Sequence, residues 1–321
     1  MDDFIINGVH VAPGKNQMID FNIARLPSGT EIDLPVYVYR SKKPGPTLVL
    51  MGGLHGDEVN GIEIIRRLIF GDYLESLECG NVIAIPILNI YGFLNFSRQV
   101  PDGKDINRSF PGSSTGSLAS RVAHFITNKI LPLADYCIDF HTGGASRYNY
   151  PQIRYANKDK ATEVLAKAFQ APLSMLSPLI DKSLRKTARK KKVPVLVYEG
   201  GEAMRIEEFS IQEAIEGTQR VMHHLGMKKE SSKQTYNQVF CDKSYWVRAR
   251  SSGVFILNAN SGQFIEKGDL LGVISDPFGH FRVKVKSPYN GFIIGHNNMP
   301  VINQGDALFH IGTQPKDKSN G

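Results

Sequence analysis

The stretch TLVLMGGLHGDEVNG at residues 47–61 decides the fold. An apolar, strand-forming run ends in two glycines and is followed by His55 and Glu58, three positions apart. A short continuous apolar run is typical of a strand that is buried on both faces of a sheet. The sequence therefore predicts a buried strand whose end carries two polar, chemically active side chains.

Three further apolar runs have the same character: NVIAIPIL (81–88), DYCIDF (135–140) and VPVLVYEG (193–200). Segments with helical periodicity lie between these runs and after the last one. The alternation predicts an α/β fold with a mixed, mostly parallel central sheet flanked by helices. The first forty residues alternate apolar and polar around an SGT turn, which predicts an antiparallel β ribbon at the N-terminus.

The last third of the chain changes in character after the polar stretch 228–238. Helical periodicity disappears there, and the segments that begin at Gly253 and Gly291 repeat one another, each ending in Gly-Asp-x-Leu. The repeat predicts a small all-β barrel or sandwich similar to lipoyl and biotinyl domains. We therefore predict a main domain at residues 1–230 and a β domain at 231–321, which is also a candidate surface for homo-oligomer formation.

Composition argues against several classes of protein. The 321 residues are 41% apolar, as in soluble globular proteins. No apolar run is long enough for a membrane span and the start MDDFIINGVH has no signal-peptide pattern, so we expect a cytoplasmic protein without a membrane partner. Much of the net charge of +7 lies at 181–192, a run expected to be a solvated helix face or loop. No nucleic-acid motif accompanies that run, so no nucleic-acid partner is predicted.

Polar residues follow three of the buried runs. His55 and Glu58 follow the first, His141 lies in DFHTGG, and Glu199 lies in VLVYEGG. A catalytic zinc ion takes three protein ligands with nitrogen or oxygen donors and leaves a fourth position open. The two histidines and Glu58 supply that number. From these residues alone, purely structural roles for the same side chains stay open.

The loop SRQVPDGKDINRSFPG (97–112) completes a set of four motifs. Together H-G-D-E, D-x-N-R-x-F-P-G, D-F-H-T-G and Y-E-G-G resemble the succinylglutamate desuccinylase/aspartoacylase family, relatives of the zinc carboxypeptidases. The resemblance spans residues 45–226 in the family's order. The β segment that follows is similar to the barrel-like extension of this family.

The resemblance implies a role for each matching residue. Three residues match ligands for one Zn²⁺ ion per chain: His55, Glu58 and His141. Glu199 matches the catalytic acid/base, and Arg108 with Asn107 matches the pair that holds the substrate carboxylate. Arg98 matches the arginine that polarises the scissile carbonyl. Because the loop before Arg108 varies in length within the family, a surface role for Arg98 stays open.

The leading hypothesis is a zinc-dependent amidohydrolase, a deacylase that hydrolyses an N-acyl amino acid or a similar small carboxylate-bearing amide with metal-activated water. One alternative is a metallocarboxypeptidase that acts on peptides. Another is a non-catalytic zinc-binding interaction protein. The sequence leaves the acyl group, the amine product and the oligomeric state open.

Five neighbours of the motifs receive subordinate roles. Asp139 is expected to be structural, on the argument that strand alternation points it away from His141. Asp57 is expected to cap the helix that follows it. Three residues are candidates for lining the substrate pocket: Arg147, Tyr148 and Tyr150.

Overall fold

The computed structural model describes residues 4–25, 28–233 and 236–315. Its strands are β1 (Ile5–Ile6), β2 (Val9–His10), β3 (Asn16–Arg25), β4 (Glu31–Arg40), β5 (Thr47–Met51), β6 (Asn81–Ile85), β7 (Tyr136–Gly143), β8 (Arg147–Tyr155), β9 (Leu173–Leu176), β10 (Val195–Glu202), β11 (Val239–Cys241), β12 (Lys243–Arg248), β13 (Gly253–Leu257), β14 (Phe264–Ile265), β15 (Leu270–Ser275), β16 (Arg282–Lys286), β17 (Gly291–Asn297), β18 (Val301–Ile302) and β19 (Ala307–Thr313). Its α-helices are α1 (Val59–Phe70), α2 (Ile90–Leu94), α3 (Leu118–Phe125), α4 (Lys160–Phe169), α5 (Leu184–Lys190) and α6 (Glu208–His224).

A large mixed sheet organises the molecule. Its centre is parallel, in the order β6-β5-β7-β10. Antiparallel strands continue it on both sides, with β4 and β3 beyond β6 and with β8 beyond β10. The predicted α/β fold with a flanked, mixed sheet is confirmed, and the N-terminal ribbon is the hairpin of β3 and β4. Parallel pairing outside the centre involves β9, which lies between β8 and β11.

Both faces of the central strands are covered by apolar packing. On β5, Val49 and Met51 belong to the apolar cluster that also contains residues of β3, β4, α3 and α5. Leu48 and Leu50 point to the other face, where the cluster contains residues of α1, α4 and α6. Because alternate residues of a strand face opposite sides, a strand covered on both faces needs a continuous apolar run. This is the physical origin of the pattern in the sequence.

The C-terminal β unit, residues 243–313, extends the same sheet. Strand β17 pairs with β8, and β19 and β12 continue outward from it. A second sheet, β16-β15-β13-β18, lies opposite, and both sheets contribute to a shared apolar cluster that includes Phe255, Leu271, Ile293 and Phe309. The unit is therefore a β sandwich joined by hydrogen bonds to the main sheet. The boundary at 230/231 and homo-oligomer formation through this unit stay predictions, and residues 316–321 lie outside the described ranges.

The lysine-rich run at 181–192 contains the short helix α5. Residues 189–192 are exposed, as expected of a solvated face, whereas Ser183, Leu184, Thr187 and Ala188 are buried. Cys137 and Cys241 are buried, Cys79 is partly buried, and all three are free thiols. Within the described ranges, no helix combines the length and the apolarity that a bilayer crossing requires.

Glu213 is a buried carboxyl on helix α6, which packs against β10 and β8. Glu213 is 7% exposed. Its Oε2 atom has no hydrogen-bond partner among the described residues. Burial, reinforced by the nearby Glu216, raises the pKa of Glu213 to about 7, and Arg220 opposes the shift only in part. The folded protein therefore keeps this proton to a higher pH than the unfolded chain does.

We expect Glu213→Gln to stabilise the protein at pH 8 more than at pH 5. A carboxyl whose pKa rises on folding stabilises the protein below its unfolded pKa of 4.5, and this contribution is lost as the pH rises through about 7. The neutral amide does not suffer that loss. Urea titrations should show that the variant's gain in free energy of unfolding is larger at pH 8 than at pH 5 by roughly 1–3 kcal/mol. The same gain at both pH values would contradict the expectation.

Candidate active site

Three side chains converge where β5 and β7 end. Nδ1 of His55 lies 2.8 Å from Glu58 Oε1, and Nδ1 of His141 lies 2.7 Å from Glu58 Oε2. The two Nδ1 atoms are 3.2 Å apart. His55, Glu58 and His141 are all buried, with exposed fractions of 2%, 1% and 4%. The structure therefore brings the three predicted ligands into one donor group, and their metal-binding role stays a prediction.

The turn between β5 and α1 places two of these side chains. The backbone N–H of Glu58 donates to the carbonyl of His55 at 3.2 Å, and Glu58 precedes the first residue of α1. A Cβ atom at Gly56 would lie 2.0 Å from the carbonyl carbon of Gly92 in α2. Only glycine therefore allows the turn to lie this close to α2.

Charge pairing dominates the electrostatics of the group. Burial by itself would raise the pKa of Glu58, but the flanking His55 and His141 bring that pKa well below its ordinary value. Burial likewise would lower the pKa of His141, whereas Asp139 and Glu58 raise it well above its usual range. The carboxylate is therefore ionised and needs positive charge beside it.

The donor set fits a zinc ion. Nε2 of His141 lies 2.8 Å from Asp139 Oδ2, so once a metal ion takes the place of the proton on Nδ1, the neutral ring keeps its proton on Nε2 and offers the lone pair of Nδ1. That lone pair faces an ionised Glu58 oxygen, an arrangement that a cation between them satisfies. Ligand atoms on a tetrahedral zinc with bonds of about 2.0–2.2 Å are about 3.3–3.6 Å apart, so the donor atoms, which are 2.7–3.2 Å apart, would move apart by roughly half an ångström to hold the ion.

Each histidine also has a carboxylate at its other ring nitrogen. Asp139 contacts His141, and Asp105 Oδ1 lies 3.3 Å from His55 Nε2. The expectation that Asp139 points away from His141 is therefore wrong, because residues two apart on a strand face the same side. Carboxylates in this position orient metal-binding histidines and fix their tautomer. The Asp105 contact was missed because only the fold of its loop brings it to His55.

Arg98 lies against the same group. Its Nη1 atom is 3.1 Å from His55 Nδ1 and 3.2 Å from Glu58 Oε1, and its Nη2 donates to Asp105 Oδ2 at 3.0 Å. Arg98 therefore reaches the donor group from its loop with its side chain 38% exposed, and its carbonyl-polarising role stays a prediction. A divalent ion bound to His55 and Glu58 would compete with the Arg98 guanidinium for His55 Nδ1 and Glu58 Oε1. Asp105 would then be the remaining partner of Arg98.

Glu199 lies beside the donor group. It is the direct strand-pairing partner of His141 between the parallel strands β10 and β7. Its Oε2 accepts a hydrogen bond of 2.8 Å from Asn149 Nδ2, and its Oε1 lies 3.3 Å from an Arg154 guanidinium nitrogen. Neither Asn149 nor Arg154 was singled out as a partner of Glu199 from the sequence. Both lie on β8, whose antiparallel pairing with β10 has no local signature.

The predicted carboxylate-binding pair lies on the short turn that follows Asp105. Arg108 is exposed, and one of its guanidinium nitrogens donates to the carbonyl of Asn107 at 2.7 Å. Asn107 Oδ1 accepts a 2.9 Å hydrogen bond from the backbone N–H of Leu184 at the start of α5. The amide nitrogen of Asn107 is thus the donor that it can offer to a substrate.

All seven predicted site residues line one cavity of about 560 Å³. Three further arginines line it: Arg147, which was a candidate from the sequence, and Arg154 and Arg185, which were not. Burial and the neighbouring Arg154 lower the pKa of Arg185 to about 10, so its guanidinium stays charged at neutral pH. Trp246, the single tryptophan of the chain, reaches the cavity from the C-terminal β unit. The cavity is therefore rich in positive charge and is closed partly by the β unit.

Three subordinate predictions need correction. Tyr148 and Tyr150 do not line the cavity, whereas Arg147 does, because alternate residues of β8 face opposite sides. Tyr148 instead packs against His296. Asp57 does not cap α1: Glu58 holds the cap position, without a side-chain cap bond, and Asp57 lines the cavity. Burial, with the charge of Glu58, raises the pKa of Asp57.

Comparisons with known proteins agree with the fold. The chain is 28% identical to N-alpha-acetyl-L-2,4-diaminobutyric acid deacetylase from Halomonas elongata over 291 aligned residues. The alignment covers 86% of this chain and 84% of the relative. The product-bound structure of the ectoine utilization protein EutE (DoeB) from Ruegeria pomeroyi superposes with a TM-score of 0.82 at 25% identity, covering 94% of this chain and 95% of that one.

A second solved structure shares the fold. A succinylglutamate desuccinylase/aspartoacylase from Rhodobacter sphaeroides superposes with a TM-score of 0.82 at 24% identity, covering 94% of this chain and 96% of the other. The family model for the succinylglutamate desuccinylase/aspartoacylase catalytic domain matches residues 44–225, more than half of the chain. The protein therefore belongs to the succinylglutamate desuccinylase/aspartoacylase family.

Proposed function

We propose that this protein is a zinc-dependent deacylase that hydrolyses the amide bond of an N-acyl amino acid or a similar small carboxylate-bearing amide. The observation that carries the proposal is the convergence of two histidine Nδ1 atoms and the Glu58 carboxylate beside Glu199 in one cavity. Membership of a family that contains a deacetylase relative supports the same reaction class. His55, Glu58 and His141 would hold one Zn²⁺ ion.

When bound, the ion supplies Lewis-acid polarisation of the amide carbonyl and makes water a stronger nucleophile near neutral pH. Glu199 accepts the proton of the attacking water and delivers it to the nitrogen of the leaving amine. Arg98 donates to the carbonyl oxygen as negative charge develops there. These roles need the three groups in one cavity, as they are here.

Arg108 and the amide nitrogen of Asn107 hold the carboxylate of the substrate. A guanidinium binds a carboxylate through two parallel hydrogen bonds, which fixes the orientation of the amino acid as well as its position. Arg108 is exposed and makes no ion pair within the described residues, so it has donors available for this contact. The anchored substrate then presents its amide bond to Glu199 and the metal ligands.

The size of the cavity favours a small substrate over a peptide. A volume of about 560 Å³ lies within the range of pockets that enclose a small molecule. Trp246 of the C-terminal β unit forms part of its wall. The non-catalytic alternative is disfavoured because Glu199, which is not needed for metal binding, is held at both carboxylate oxygens.

We expect the zinc-loaded protein to hydrolyse at least one N-acyl amino acid and no blocked peptide. The panel should include N-α-acetyl-2,4-diaminobutyrate, N-acetylaspartate, N-succinylglutamate and neutral N-acetyl amino acids, with release of free amine as the measurement. His55→Ala should lose both zinc and turnover and serves as the control. Turnover of blocked peptides alone would instead support the carboxypeptidase alternative.

Glu199→Gln should retain zinc and substrate binding but lose at least about 100-fold in kcat, because an amide cannot accept the proton. Since Trp246 is the single tryptophan and lines the cavity, its fluorescence can follow binding of the substrate to the inactive variant. Trp246→Phe supplies the blank. A Glu199→Gln variant with wild-type kcat would exclude the acid/base role.

Asp139→Asn should weaken zinc binding by about 10–100-fold, because His141 loses the carboxylate that orients it and fixes its tautomer. Competition with a chromophoric chelator gives the zinc affinity directly. Glu213→Gln, which removes a buried carboxyl outside the cavity, is the matched control and should bind zinc as the wild type does. Equal zinc affinity of Asp139→Asn and the wild type would refute the proposed role of Asp139.

A further inference from the structure

The orientation of Glu199 is fixed by two residues of β8. Asn149 donates its amide N–H to Oε2 at 2.8 Å, and Arg154 lies 3.3 Å from Oε1. The amide contact is the shorter one, and Asn149 is buried, with 8% of its surface exposed. Since Arg154 reaches only one oxygen, Asn149 is needed to define the plane of the carboxylate.

Asn149 lies in a row of paired residues that crosses five strands. Gly201 of β10 pairs with Asn149, Asn149 pairs with Gly295 of β17, and Gly295 pairs with His310 of β19. His310 pairs with Trp246 of β12, and the two rings stack at a centroid distance of 4.2 Å and an interplanar angle of 4°. The row therefore connects the strand of Glu199 to the cavity wall that the C-terminal β unit provides.

Gly295 leaves the space that the Asn149 side chain occupies. A Cβ atom at Gly295 would lie 2.7 Å from Asn149 Oδ1 and 2.8 Å from the carbonyl oxygen of Tyr148. Both distances are too short for a real contact, so a side chain at Gly295 has to displace the amide of Asn149 and shift the backbone at Tyr148. The amide group of Asn149 thus lies between β17 on one side and the Glu199 carboxylate on the other.

We propose that Asn149 is a positioning residue for Glu199 and that β17 of the C-terminal β unit holds Asn149 in place at Gly295. The inference rests on the proposed function, because it assumes that Glu199 transfers protons. The orientation of the amide follows from hydrogen bonding: its N–H donates to the Glu199 carboxyl oxygen, whereas the amide oxygen in that position would place two acceptors against each other. If the Glu199 carboxylate rotates away from the attacking water and from the nitrogen of the substrate's amide bond, proton transfer slows. Small misplacements of a catalytic group cost large factors in rate.

The first test replaces Asn149 with side chains that are either smaller or of similar size. Asn149→Ala and Asn149→Asp should both lower kcat by about 10–100-fold and leave KM within about twofold. Asn149→Asp keeps the size of the side chain but places a second carboxylate beside Glu199, which repels it. Asn149→Leu keeps about the same volume without charge or hydrogen-bond donor and should lose kcat as well, whereas a side chain that only filled space could be replaced by leucine at wild-type kcat. Zinc content and substrate binding, followed through Trp246 fluorescence, should be unchanged in all three variants.

The second test changes β17 without touching Glu199. Gly295→Ala should lower kcat because its Cβ displaces the amide of Asn149. Gly291→Ala is the matched control on the same strand: its Cβ would lie 2.3 Å from the carbonyl oxygen of Gly312, far from Asn149 in the pairing register. Both variants should unfold at lower temperature, but only Gly295→Ala should lose kcat. In the Asn149→Ala background, Gly295→Ala should cause no further loss of kcat.

These measurements use the zinc-loaded full chain and an N-acyl amino acid that the panel identifies as a substrate. If Glu199→Gln keeps wild-type kcat, the proposed function fails and the inference fails with it. If Glu199→Gln is inactive while Asn149→Ala keeps wild-type kcat, the inference alone is overturned. A raised KM at unchanged kcat would make Asn149 a substrate-binding residue and would also overturn it. Equal kcat losses in Gly291→Ala and Gly295→Ala would exclude the specific role of β17.

Discussion

The register of the central parallel strands is the constraint on which the candidate site depends. Glu199 is paired with His141 and Asp139 is paired with Met51, so the end of β5 lies level with the parts of β7 and β10 that carry the site residues. Because the side-chain period of a strand is two residues, a slip of one position would turn His141 away from the cavity. The apolar packing on both faces of these strands therefore stabilises the fold and also aligns the groups of the site.

The site residues that could be predicted lie next to segments whose sequence alone identifies them as buried strands. His55, Glu58 and His141 follow or end buried apolar runs, and the carboxyl ends of parallel strands meet at one edge of a sheet. The wrong prediction for Asp139 arose from treating a residue two positions from His141 as an adjacent one, and correct counting of the strand period gives the observed contact. The prediction for Asp57 failed because the turn uses Glu58 as the helix cap.

The remaining groups depend on contacts between distant parts of the chain. Asn149 and Arg154 reach Glu199 only because β8 turns back and pairs antiparallel with β10. Arg185 belongs to a lysine-rich run whose composition indicates a solvated surface, and the inner face of α5 is visible only in three dimensions. Trp246 enters the cavity from a segment that follows the family's catalytic domain. None of these residues has a spacing that would identify it in the sequence.

The continuous sheet has a consequence for how such proteins diverge. The segment that the family shares ends at residue 225, whereas the cavity wall and the strand beside Asn149 come from residues after it. Relatives that share the segment up to residue 225 can therefore differ in the wall of this cavity through changes in the C-terminal β unit alone. Divergence within the family can thus act on a strand register and on one glycine as well as on the side chains that line the cavity.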